Sequence, residues 1–143
     1  MTLETAITQQ LRRDEGEVLH CYQDKLGYWT IGIGVLIDKR KGGGITTAES
    51  EYLFLNRLHA KMTELDLRLP WWRTLDEARQ GVLINMVYQM GIDGLLGFVN
   101  TLKMIQQGDY HGAARGMLLS KWSAQTPSRA ARLSDQMREG VWK

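Results

Sequence analysis

Residues 14–34 read DEGEVLHCYQDKLGYWTIGIG, and the order of these residues decides the fold. Upstream, Leu3, Ala6, Ile7 and Leu11 recur at helical spacing, which predicts a first amphipathic helix over residues 3–14. Glu15 comes at its end and Gly16 stops it. Leu19, Cys21 and the run from Tyr28 to Ile33 then read as strands, with Gly27 in a turn. Gly32 and Gly34 mark places where the backbone approaches another group closely. Two carboxylates, Glu15 and Asp24, and the hydroxyl of Thr30 therefore converge on a helix end and a small hairpin. An acid that protonates a leaving oxygen, with a second carboxylate that handles water, is what glycoside cleavage requires. The pair alone is weak support, because the chain has 16 acidic residues and most such residues solvate a surface.

Beyond this stretch the chain is helical. Lys39-Arg40-Lys41-Gly42-Gly43-Gly44 is a loop whose charges fit a solvated tip or contact with an anionic wall polymer. Thr46 and Glu49 form a capping box that opens a long helix, with Phe54, Leu58, Met62, Leu65 and Leu69 as its apolar stripe and Pro70 as its end. At the standard rise it spans roughly 30 Å, enough to join two lobes. Trp71 and Trp72 follow; packing is favoured over stacking on a sugar. Asp76 caps a helix whose near-continuous apolar character marks it as central and buried, and Gly91 ends it. Gly94 and Gly97 break a short segment before a helix over 98–107. Asp109 starts another to about Leu119, Trp122 falls in a short turn, and Thr126-Pro127 opens a last helix through Met137.

The fold class is α+β and mostly helical, a single domain over residues 1–143. A small lobe over about residues 13–50 carries the hairpin sheet, and a connecting helix covers about 47–69. The helical lobe covers about 70–143, joined by the N-terminal helix. The formal charge of +2 suits a polyanionic partner but does not separate a bacterial wall from nucleic acid. Cys21 is the only cysteine, so no internal disulfide is possible. The N-terminal residues are too polar for a signal peptide, and no apolar run reaches membrane-spanning length, so synthesis in the cytoplasm is expected. His20, His59 and His111 lack metal-ligand spacing, and neither metal nor cofactor is proposed.

The chain resembles the T-even phage lysozymes, a family of glycoside hydrolases. The resemblance begins at Arg13-Asp14-Glu15-Gly16 and passes through Tyr22, Asp24, Gly27 and Thr30-Ile31-Gly32-Ile33-Gly34. It resumes at Ile84-Asn85-Met86-Val87-Tyr88-Gln89-Met90-Gly91, then Gly97-Phe98, Asn100, Met104, Gln106-Gln107, Ser120, Trp122 and Gln125-Thr126-Pro127, with Arg129 and Arg132 after it. It implies a two-lobed lysozyme fold with the substrate in the cleft between the lobes. The implied reaction is hydrolysis, with inversion, of the β-1,4 bond between N-acetylmuramic acid and N-acetylglucosamine in peptidoglycan. Glu15 would donate the proton, Asp24 would activate or position water, and Thr30 would help hold that water. Gly34, Leu36, Tyr88, Gln89 and Thr101 match substrate-binding positions, although packing explains each almost as well. Arg129 and Arg132 match arginines that orient Asp14 and Glu15. There is a tension here, because a nearby arginine lowers the pKa of an acid that must be protonated to work.

As an endolysin the chain is expected to be a monomer that acts on glycan strands, not on nucleic acid or membrane, and that needs a holin to reach the wall. A catalytically silent wall-binding module is the alternative, and a lytic transglycosylase the third reading. The chain also departs from the family pattern. Val35 and Arg57 stand where the T-even proteins have a paired histidine and aspartate, the segment between Leu36 and Ile45 is much shorter, and Gly116 replaces a cleft asparagine.

Overall fold

The computed structural model describes residues 2–41 and 43–143, so Gly42 of the predicted loop lies outside the described residues. The chain divides into two compact units, Met1–Leu53 and Phe54–Lys143. The first contains helix α1 (Leu3–Glu15) and an antiparallel sheet of β1 (Val18–Gln23), β2 (Trp29–Gly32) and β3 (Val35–Leu36), in that order. The N-terminal helix, read from sequence as joining the helical lobe, is grouped here with the sheet. Thr2 caps α1 by accepting from the Thr5 amide, and the Gly16 amide closes its end on Arg12. The ladder places Tyr22 opposite Thr30 and Thr30 opposite Leu36, with an irregularity in β1 between Val18 and Tyr22. Thr30, on the central strand, is buried.

Helix α2 (Thr47–Arg68) begins in the first unit and ends in the second. Its capping box forms as the sequence predicts. The Glu49 carboxylate accepts from the Thr46 amide at 2.8 Å, and the Thr46 hydroxyl accepts from the Glu49 amide at 3.2 Å. The apolar stripe is only partly covered: Leu65 and Leu69 are buried, while Phe54 is about half exposed. Periodicity predicts which face is apolar, not how far along the helix a neighbour reaches.

The second unit holds the core. After a short 3-10 helix (Trp72–Thr74) come α3 (Glu77–Leu96), α4 (Val99–Gln106), α5 (Tyr110–Leu118), α6 (Lys121–Gln125) and α7 (Pro127–Glu139). The side chains of Asp76, Asp109 and Ser120 cap α3, α5 and α6. Gly91 interrupts α3, where the sequence places its end. Val82, Leu83, Met86 and Val87 are buried together with Ile105, Met117, Leu133 and Met137 in one cluster. Burying each such side chain stabilises the fold by about 1.5–3 kcal/mol. Arg79 joins the ends of two helices: it pairs with Asp76 at the start of α3 and donates to the carbonyls of Met137 and Arg138 at the end of α7.

Trp72 is fully buried, which settles the packing role predicted for it, and its indole donates to Asp66 at 2.8 Å. Arg73 grips the same carboxylate at 2.6 and 3.0 Å. The Arg73 hydrogen bonds first, and the indole second, hold the Asp66 carboxyl below its ordinary range. A carboxylate with a depressed folded pKa stabilises the protein above its unfolded value of about 3.9, and that contribution is lost as the pH falls. The melting temperature of the wild type should therefore drop more steeply between about pH 5 and pH 2 than that of Asp66→Asn. Parallel slopes in calorimetry would contradict this.

Candidate active site

The candidate residues of the first unit are held mainly by local backbone geometry. Asp24 closes the turn between β1 and β2. Its Oδ1 accepts from the amides of Leu26 at 2.8 Å and Tyr28 at 2.9 Å, and its own amide donates to the Tyr28 carbonyl at 2.9 Å. The turn role and the chemical role therefore fall on different oxygens. Oδ1 is held by the backbone, and Oδ2 has no donor among the described residues. The Thr30 hydroxyl donates to the same Tyr28 carbonyl at 3.2 Å, so one peptide anchors both residues.

Glu15 is brought to the hairpin by contact with Gly34. In the loop between β2 and β3, Gly34 has φ +62°, a left-handed conformation that favours glycine. A Cβ there would lie 2.8 Å from Glu15 Oε2 and 3.0 Å from its Cδ. The missing side chain is thus the space that the Glu15 carboxylate occupies. Leu36, opposite Thr30, extends the same hairpin. Glu15, Asp24, Thr30, Gly34 and Leu36 all belong to one unit, as the sequence reading requires.

The remaining candidates lie in the second unit. Tyr88 is 43% exposed, and its ring meets that of Phe54 at 5.7 Å in a tilted pair. Gln89 accepts from the Trp122 indole at 2.9 Å. Thr101 is buried, and a Cβ on Gly116 would fall 2.7 Å from its Oγ1. The absence of a side chain at Gly116, noted from sequence as a departure, thus gives the Thr101 hydroxyl its room. Arg129 donates from Nε to Asn85 Oδ1 at 2.8 Å, which leaves its two Nη groups without an acceptor among the described residues. Arg132 approaches Ser128 at 3.4 Å. Tyr88, Asn85, Phe54 and Arg129 share the lining of a mostly apolar cavity of about 500 Å³.

Known proteins bear on this arrangement. A profile of the phage lysozyme family matches residues 12–137. The chain belongs to the phage lysozyme family. It is 35% identical over 163 aligned positions to probable T4-type lysozyme 1 of Dictyostelium discoideum, covering 96% of each chain. It is 32% identical over 154 positions to the pre-baseplate central spike protein Gp5 of Enterobacteria phage T4, covering 90% of this chain and 27% of that protein. An endolysin of Acyrthosiphon pisum secondary endosymbiont phage 1 is 29% identical over 116 positions, covering 79% of this chain and 74% of the phage protein. The α+β lysozyme-like fold expected from sequence is the one observed, and the chain is a lysozyme of the endolysin kind, a glycosidase.

Sequence reasoning missed the second partner in three contacts of this lysozyme. Nothing local tells that Trp122 binds Gln89, that Arg129 binds Asn85, or that Gly34 seats Glu15. Only the last had a signal, the reading of Gly34 as a point of close backbone approach. Gly34→Ala should displace the Glu15 carboxylate and lower lytic turnover by roughly a hundredfold, the order expected for a misplacement of about 1 Å. Turnover within a few-fold of wild type would show that Glu15 tolerates the added methyl group.

Proposed function

We propose that the chain hydrolyses the β-1,4 bond between N-acetylmuramic acid and N-acetylglucosamine of peptidoglycan, with inversion at the anomeric carbon. The observation that supports this most directly is the division of labour at Asp24. Its Oδ1 is fixed by two backbone amides, while Oδ2 is left to face a water molecule. An aspartate held in this way is a positioned base. Thr30, anchored to the same peptide as Asp24, supplies a hydroxyl as a second contact for that water. Glu15, seated on Gly34, is the general acid that protonates the leaving oxygen.

Gly34 and Leu36 contribute to sugar binding from the hairpin, and Tyr88, Gln89 and Thr101 from the helical unit. The ring of Tyr88 suits the apolar face of a pyranose, and the amide of Gln89 suits an N-acetyl group. Arg129 and Arg132 exchange no proton; among the described residues they bond Asn85 and Ser128, and neither has an acidic partner there.

The decisive measurement is clearance of purified peptidoglycan by wild type and Glu15→Gln. The amide cannot donate the proton, so turnover should fall by about a hundredfold to ten-thousandfold with the fold intact. Retention of more than about a tenth of wild-type turnover would remove Glu15 from the role of general acid. Inversion is read separately, by proton NMR of the first reducing sugar formed. An α anomer is expected. A β anomer would mean retention, and an anhydro sugar would mean transglycosylation without water.

A further inference from the structure

The stretch from Tyr110 to Ser134 contains no aspartate or glutamate, while Arg115, Lys121, Arg129 and Arg132 all fall within it. The acids at its borders are occupied: Asp109 caps the start of α5, and Asp135 pairs with Arg138 at 2.7 Å. Arg129 and Arg132 belong to the site already described. Arg115 and Lys121 do not, and neither has a carboxylate partner among the described residues. Between them the chain exposes two leucines, Leu118 at 48% and Leu119 at 87%. We propose that the end of α5 and the start of α6 form a docking surface for an anionic phospholipid bilayer. Leu118 and Leu119 enter the headgroup region, and Arg115 and Lys121 pair with its phosphates.

Helix α5 turns Ala113, Ala114 and Met117 into the core. His111, Arg115, Leu118 and Leu119, spaced i, i+4, i+7 and i+8, share the exposed face. Two leucines are thus on the wet side of a helix whose core side carries two alanines. Helix α4 runs antiparallel to it, since a Cβ on Gly116 would meet Thr101 Oγ1, and one on Gly112 would meet Met104 Sδ, each at 2.7 Å. Val99, 69% exposed, therefore lies at the same end as the leucines. Ser120 caps α6 and makes Lys121 its first residue, immediately beyond them.

An anionic polymer in water would satisfy the two cations and leave the leucines wet. A bilayer satisfies both. Arginine and lysine carry their charge on long apolar stems, so their heads reach the phosphates while the leucines sit deeper, at the acyl boundary. No single helix among the described residues is long and apolar enough to cross a membrane, and the contact is peripheral. The lipid is a docking surface and not a substrate, so this inference stands apart from the muramidase reading.

The test is sedimentation of the full chain with vesicles of mixed phosphatidylglycerol and phosphatidylcholine, against vesicles of phosphatidylcholine alone. The mixed vesicles should carry the chain down and the neutral ones should leave it in solution. Arg115→Gln and Lys121→Gln should each weaken binding about fivefold, the contribution of one cation near an anionic leaflet. Leu119→Ser should weaken it about tenfold, the order for burying one leucine. Arg57→Gln removes the same charge from an exposed position on α2 and should bind as the wild type does. Every variant should clear peptidoglycan at the wild-type rate, which also reports an intact fold. Leu118→Ser repeats the leucine measurement if Leu119→Ser does not fold.

An equal loss from Arg57→Gln would show attraction by net charge alone. Unchanged binding in the leucine variants would show contact with phosphates and none with hydrocarbon. Either result overturns the inference, as does equal binding to both kinds of vesicle or binding to neither.

Discussion

The second unit depends on enclosing α3. Val82, Leu83, Met86 and Val87, spaced i, i+1, i+4 and i+5, form one broad face of that helix and are all buried against its neighbours. Asn85, Tyr88 and Gln89, spaced i, i+3 and i+4, form the face where polar and half-exposed groups collect. The surrounding helices also decide how that face behaves. Arg129 on α7 holds the oxygen of Asn85, and Trp122 on α6 holds the oxygen of Gln89. Both partners are donors without acceptor capacity, so both amides turn their NH₂ groups away from the helices that hold them. Hydrophobic burial thus selects the face, and hydrogen bonding sets its polarity.

The first unit is ordered by different means. Thr30 is its only buried residue among those described, so apolar burial contributes little there. Its turns are closed by side chains that bond their own backbone. The Tyr28 peptide gathers Asp24 and Thr30, and the capping box closes the start of α2. Such local bonds fix geometry at small entropic cost because few residues intervene. Groups that must be held near one another without being desolvated suit this construction.

These two kinds of order differ in how well they are written in the sequence. Caps and breakers are local, so Thr46 with Glu49, Asp76, Asp109 and Thr126-Pro127 place helix starts correctly, and Gly91 marks a break inside α3 rather than its end. Asp24 is legible in the same way, since a turn aspartate followed by Gly27 carries its own pattern. Trp122 is not. It lies in a five-residue helix where the sequence suggests only a turn, and its partner Gln89 is 33 residues away. No periodicity encodes a bond at that separation, because it depends on how α6 packs against α3. Phe54 shows a related gap: its place in an apolar stripe is plain, but its half-exposed pairing with Tyr88 follows from where neighbouring helices stop.

The link between β3 and α2 is organised by a single carboxylate. Asp38 organises the link by accepting from the amide, Nε and Nη2 of Arg40 and from the amide of Gly44. These bonds, those of the Arg40 side chain above all, hold its carboxyl far below the usual carboxylate range. A link closed on itself in this way needs no help from residues upstream. The hairpin pairing survives intact up to Leu36, which stays opposite Thr30, and the Ile37 amide still reaches the Trp29 carbonyl at 2.8 Å. Thr30 and Gly34 have the register and backbone conformation that place one beside the Tyr28 carbonyl and the other beneath Glu15.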